Sequence, residues 1–458
     1  MSILTRKSSL CSRSKLTAPQ PALGGTNRNS SRTLNDLFFS LPNELQLQIV
    51  TPLSMPTILN LRLVSGSFHA LVSQNESWIA RHHITRSIPA FAIRLYPLPD
   101  PSRINLHYLC GLWHRLYVAQ KLAILIAEDT TKEIFLRDTE AKWNEFLPQH
   151  TRMRQRLMPL IFTIFHFFEK YRELHVQHLV SRGVPLRRQA FTLNPIERQV
   201  MDIYSDELLL KVHQIFPLLL SSFSRRLRPP SYAGRLERSI KGMLKDKPAD
   251  EIYATILAVG GLRQAGRFWE TKGYNTRRAA VDQWYSFVTQ EPVQPSQKSK
   301  LSMLSSLGRK KPTTITDIAY DASMDVPSSH HDSSSCREWY CVKPTCDNSS
   351  KYTPSSKLVS NSSLAAGPPM SPLPRDQLRL MLSDQQELTS IWLQTAEAVI
   401  LERKIVENSM QIKRNTQVLL ELIKEDGSVM DEDWAPGLAE VSRHAMENFR
   451  DADALGGV

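Results

Sequence analysis

Five cysteines in 458 residues, Cys11, Cys110, Cys336, Cys341 and Cys346, are too few and too scattered for a disulfide scaffold, and an odd number argues against full pairing. A reducing compartment, cytoplasm and/or nucleus, is the expectation. Long apolar runs are also missing. The richest window, Leu157 to Phe168 (LMPLIFTIFHFF), is a dozen residues interrupted by Pro159 and His166, short of the ~20 needed to cross a bilayer. It reads as a buried helix, and no membrane partner is expected. Alternating strand patterns are nearly absent, and no segment recurs at the fixed period of a propeller or solenoid. There is no Gly-x-Ser-x-Gly, and the glycines of GGLRQAG at 260–266 lack the lysine and the preceding strand of a phosphate-binding loop. Nothing in the sequence forms a catalytic constellation, so a non-catalytic chain without a cofactor is expected.

What is present is a basic, proline-rich, helix-patterned chain. Lys and Arg number 57 against 45 Asp and Glu, for a net charge of +12, and 28 Pro stand against 17 Gly. The charge is partitioned: +6 over residues 1–33, zero over 34–100, +11 over 101–290, +2 over 291–374 and −7 over 375–458. Coulomb attraction between the basic body and the acidic C-terminal part favours docking of one on the other. Residues 1–33 carry Arg6, Lys7, Arg13, Lys15, Arg28 and Arg32 with no acid. They formally resemble an organellar presequence, but their apolar residues make only a partial helical face, so a disordered basic tail is the expectation. Over 291–374, 19 Ser and 10 Pro dilute sparse, aperiodic apolar residues; this segment reads as a disordered Ser/Pro-rich linker.

Between tail and linker, apolar residues recur at i, i+3, i+4 and i+7 over 105–127, 132–146, 152–180, 206–228, 235–245, 249–259 and 276–288. Leu147-Pro148 and Gly260-Gly261 punctuate these segments, and Pro217 is expected to kink or split the helix that contains it. Past the linker, residues 375–424 contain neither Pro nor Gly. They carry the stripe Leu378, Met381, Leu382, Leu388, Ile391, Trp392, Thr395, Val399, Ile405, Val406 and Met410, which predicts one long amphipathic helix that either packs on the body or self-associates. A second short helix is predicted over 436–449.

The most informative stretch is 34–84. Pro42 suits a first helical turn, and 43–50 carries Leu45, Ile49 and Val50 on one side; Pro52 and Pro56 separate it from 57–64, apolar around nearly its whole circumference and so expected to be enclosed on several sides; Ser65 is an N-cap candidate for a third helix with Phe68, Leu71 and Val72 inward. Trp78 lies beyond and is expected to need a pocket. Three short helices bury little among themselves, so a partner surface is implied.

Leu41-Pro42, Glu44-Leu45, Ile49, Leu53, Leu59, Arg62, Val64-Ser65, Phe68, Leu71 and Trp78 fall in the order and approximate spacing of the F-box, which this segment resembles. The resemblance implies that Leu41, Pro42, Glu44, Leu45, Ile49, Leu53, Leu59, Arg62, Val64, Phe68, Leu71 and Trp78 bind a Skp-type adaptor, and through it a cullin and a RING subunit. The chain would then be the substrate receptor of an SCF-type ubiquitin ligase with an unknown protein substrate. Two positions depart from the family pattern: Gly66 replaces a basic residue after Val-Ser, and Met55-Pro56-Thr57 replaces an acid before the second helix. Downstream, 109–122 and 157–173 resemble, more loosely, the helical remainder of F-box proteins of filamentous fungi.

The expected architecture is all-α: a disordered tail (1–33), a three-helix F-box (34–85), an irregular helical domain for substrate recognition (86–290), a disordered linker (291–374) and acidic C-terminal helices (375–458). Free thiols in the linker are the expected state of Cys336, Cys341 and Cys346, and no metal site is expected. Arginine clusters at 152/154/156, 187/188, 225/226/228 and 277/278 either form solvated faces or meet an acidic or phosphorylated substrate. No nucleic-acid reader accompanies them. The alternative left open is a basic helical scaffold that uses the same segment for assembly without ubiquitylation.

Overall fold

A computed structural model describes residues 33–98, 100, 104–183, 186, 193–229, 247–289, 373–384 and 390–425. The chain divides into two units, Met1–Pro52 and Leu53–Val458. Among the described residues every regular element is a helix and there is no strand, as the periodicity predicts. The basic tail before residue 33, the linker up to 372 with its cysteines, the helices expected at 235–245 and 436–449, and Arg187-Arg188 lie outside the described residues.

In the first unit, α1 (Leu34–Phe39) opens on a capping box: Asp36 N donates to the Thr33 hydroxyl while the Asp36 carboxylate accepts from Thr33 N. α2 (Asn43–Val50) follows Pro42, whose φ of −53° already suits a helix. The Gln46 side chain turns inward and donates to the Leu41 carbonyl at 2.7 Å.

The second unit begins with α3 (Met55–Val64) and α4 (Gly66–Gln74), capped by Ser54 and Ser65, whose hydroxyls accept from Thr57 N and Phe68 N. Gly66 is the first residue of α4 with open space around it, so its helix penalty is small there. After α5 (Glu76–Ser87) and α6 (Ala90–Leu95) come the two longest helices, α7 (Leu106–Glu133) and α8 (Glu140–Arg182). α8 is the axis of this unit. It packs on α6 and α7, on α9 (Pro195–Met201) and α10 (Asp206–Arg226), and on a π-helical turn (Ile256–Gly260) and α12 (Gly261–Glu270). α11 (Asp250–Thr255) leads into the π-turn, and α13 (Tyr274–Thr289) follows α12.

Proline punctuates the chain less than its position in the sequence suggests. The helix predicted over 132–146 does not form; α7 continues to Glu133, the chain turns through Leu136 at φ +54°, and α8 then runs unbroken through Pro148 and Pro159. α10 likewise runs through Pro217 without splitting. A proline inside a helix costs ~3 kcal/mol, but from Leu157 to Phe168 every residue except Pro159 is buried, and burial at ~1.5–3 kcal/mol per large side chain outweighs that cost.

The single C-terminal helix is corrected as well. Residues 375–423 form α14 (Arg375–Ser383), α15 (Leu393–Glu402), a 3-10 turn (Ser409–Gln411) and α16 (Thr416–Ile423), with Trp392, Lys404 and Asn415 at positive φ. A straight helix of that length would run ~75 Å at 1.5 Å per residue and carry much of its apolar stripe past the body. Broken as it is, the segment lays Met381, Ile391, Trp392, Val399, Ile400, Val418 and Leu422 into the core against α8, α9 and α10. Met410, placed on the same stripe, is 92% exposed.

Candidate functional site

In the first unit, Leu45 and Ile49 lie one helical turn apart on α2 and are 43% and 50% exposed, whereas Val50 is buried. The sequence suggests one common side for all three; a 100° step from Ile49 to Val50 puts them on different faces. The buried face is completed by Gln46, whose amide is satisfied by the Leu41 carbonyl. Pro42 and Glu44 are exposed and Leu41 is half-buried. α2 therefore holds two aliphatic side chains in water on the face opposite Val50 and the Gln46–Leu41 hydrogen bond.

In the second unit, Leu63 and Val64 at the end of α3 are 63% and 68% exposed. The prediction that this helix is enclosed on several sides holds for Ile58 and Leu59, which are buried, and fails at its last turn. The break comes from Ser65: its φ of −157° and ψ of 162° end α3 and redirect the chain into α4. Trp78 does not sit in a pocket. It lies on α5 with 63% of its surface exposed, while its neighbours Ile79 and Ala80 face inward. Leu53, Arg62 and Phe68 are half-buried. Leu59 and Leu71, expected from the sequence to be contact residues, are 6% and 5% exposed; they hold α3 and α4 in place from inside. Leu63 lies outside the set read from the sequence, and the signal for it is the apolar character of α3 all the way round.

The arginine clusters are largely engaged within the chain. Arg152 donates to the Ile423 carbonyl and Arg156 to the Glu421 carbonyl. Arg225 pairs with Glu133 at 2.6 Å, Arg226 donates to the Trp269 carbonyl, and Arg277, buried, donates to the carbonyls of Phe268, Arg226 and Thr271. Charge thus joins the C-terminal segment to the body, as the partition predicts, yet its most connected cation runs the other way. Arg403 of the segment donates to Asp202, Asp206 and the Tyr204 and Met201 carbonyls.

Buried chemistry in the body is structural in character. The Glu169 carboxylate accepts from the Tyr96 hydroxyl at 2.5 Å and from Arg115 Nε at 2.9 Å, with the guanidinium 4.3 Å from the Tyr96 ring centre. Burial, joined by the charge of Glu169, holds the Tyr96 phenol well above its ordinary range. Burial pushes the Cys110 thiol up to about 12, which keeps it protonated and poorly nucleophilic. Among the described residues no group of three or more His, Cys, Asp or Glu is placed to hold a metal, and no helix is long and apolar enough to cross a membrane.

No curated protein and no solved structure matches the chain. A scan against protein families matches residues 38–83 to the family described as F-box-like, the span that contains the exposed Leu45, Ile49, Leu63, Val64 and Trp78.

Proposed function

Because residues 38–83 make this chain an F-box protein, we propose that it is the substrate-receptor subunit of an SCF-type cullin-RING ubiquitin ligase. The F-box-like domain supports a Skp-type adaptor as the partner; the cullin and RING subunits follow from that adaptor, and the helical body supplies contacts to a target protein. The observation that carries the reading is the coincidence of the family match with apolar side chains held in water. Leu45 and Ile49 in one unit, and Leu63, Val64 and Trp78 in the other, are each 43% exposed or more. Large aliphatic and aromatic groups held exposed on regular helices are the mark of a protein-binding surface. In this reading the chain takes no part in the ubiquitin-transfer chemistry, which belongs to the enzymes the complex recruits.

Affinity capture with the F-box intact and with Leu41→Ala combined with Pro42→Ala tests the proposal. The double variant is expected to lose the adaptor, and body-bound proteins are expected to accumulate without ubiquitin conjugates. Adaptor retained by the double variant, or bound proteins whose ubiquitylation does not change, contradicts the proposal.

A further inference from the structure

The backbone at Trp392 is unusual. With φ +70° and ψ −53° it sits at the centre of a γ-turn of the positive-φ form, closed by Leu393 N donating to the Ile391 carbonyl at 2.8 Å. That form is rare and strained for any residue with a side chain. The turn drives the indole fully into the body, 4.7 Å edge-on to Phe167, 5.5 Å stacked on Phe216 and 6.2 Å from Tyr204, ring centre to ring centre. Its N–H finds no acceptor among the described residues. A residue selected only to complete a core would be expected to relax that turn.

The segment after Trp392 has the form of a docked peptide. α15 presents Thr395, Ala396, Val399 and Ile400 to the body, the i, i+3, i+4 spacing of an amphipathic helix in a groove. Its polar contacts lie along one line: the Thr395 hydroxyl on Glu197, Glu402 on Arg198, and Arg403 on Asp202 and Asp206. The body is basic overall, but the end of this groove carries carboxylates.

We propose that the groove formed by α8, α9 and α10 is a peptide-recognition site. It takes an amphipathic helix with an aromatic anchor at its start and an arginine after its end, and residues 390–403 occupy it as an intramolecular ligand. Resting on the receptor reading, this assigns the target class as helical segments of that pattern, which displace Trp392.

The test uses the full chain and a fluorescently labelled synthetic peptide of residues 384–405. Trp392→Ala in the chain empties the anchor pocket, and the peptide should bind that variant at least tenfold more tightly than it binds wild type, whose own segment competes at high effective concentration. A peptide carrying Trp392→Ala should bind the same chain at least tenfold more weakly. Arg403→Ala, whose side chain lies near the surface, provides a second opened chain that retains the core and should also gain peptide binding. Absence of peptide binding by both variants, with their helical circular dichroism intact, overturns the proposal, as does equal binding of the two peptides. Adaptor capture is measured in parallel. Peptide binding without adaptor capture keeps the groove and removes the receptor reading; adaptor capture without peptide binding removes the groove alone.

Discussion

Mild acid should destabilise the helical unit through four histidines that the fold keeps neutral. His114 and His166 are held down to about 3, and His150 and His213 to about 4, in each case first by burial. Positive neighbours add to it: Arg263, Arg115 and Arg267 around His114, Lys170 and Arg115 around His166, Arg154 and Lys132 around His150. At His213, Arg414 acts in the same sense and Glu397 opposes it. All four are 7% exposed or less. In the unfolded chain an imidazole titrates near 6.5, so between that value and 3 to 4 the unfolded state binds more protons than the folded one. Stability is therefore full above pH 6.5 and falls as pH drops through the window. From pH 7.5 to 5.5 each histidine withdraws about 1.4 kcal/mol, and the four together about 5.5 kcal/mol as an upper bound. Against a typical 5–15 kcal/mol for a folded domain, that is a third of the stability or more. Asp129, whose carboxyl burial raises, acts in the opposite sense. Urea titrations at pH 7.5, 6.5 and 5.5, followed by circular dichroism, should show the midpoint falling steadily. His166→Phe, which also gives up the 2.8 Å contact with the Tyr204 hydroxyl, should lower the midpoint at pH 7.5 yet flatten the pH slope by about a quarter. A midpoint that stays level or rises between pH 7.5 and 5.5 would refute the reasoning.

Leu59→Ala and Leu71→Ala should each cost about 2–5 kcal/mol in urea unfolding, because both side chains are buried. Val64→Ser and Trp78→Ala, at exposed positions, should change stability by less than ~0.5 kcal/mol while weakening adaptor binding in calorimetry at least tenfold; the reverse pattern would mean the two groups have been assigned to the wrong faces. Arg277→Lys cannot reproduce donation to three carbonyls and should lower stability by ~2–4 kcal/mol, whereas unchanged unfolding would deny that fork a structural role. Gly66→Ala, with nothing within 4 Å of the added carbon, should be neutral or stabilising by up to ~1 kcal/mol, and Gly183→Ala at φ +65° should destabilise.

The class of fold and the F-box-like segment were legible because both rest on local signals. Periodicity of 3.6 marks the helices of the body, and Pro42 and Ser65 stand before α2 and α4 as the sequence suggests, while α3 opens two residues earlier than expected, at Met55 after the cap Ser54. Side-chain direction is harder to read. Ile49 and Val50 are neighbours in sequence and equally apolar, and the 100° helical step puts Val50 on the buried face with Gln46 while Ile49 faces water. Trp78 reads as a residue in need of a pocket because hydrophobicity alone does not say whether the pocket belongs to the same chain. The prolines of α8 and α10 and the breaks in the C-terminal segment escape sequence reasoning for one reason: each is a local penalty that long-range packing overrides. Trp392 shows it most plainly, since nothing around it in sequence announces a positive φ, and the rings it meets, Phe167, Tyr204 and Phe216, lie far along the chain.

Calorimetric titration of a purified Skp-type adaptor into the full chain is the most direct test of the central claim. Saturable one-to-one binding is predicted for the wild-type chain. A chain carrying Leu45→Ser, Ile49→Ser and Val64→Ser should lose it with the urea midpoint unchanged. No binding by the wild-type chain, or equal binding by the triple variant, would contradict the assignment of these side chains to adaptor binding.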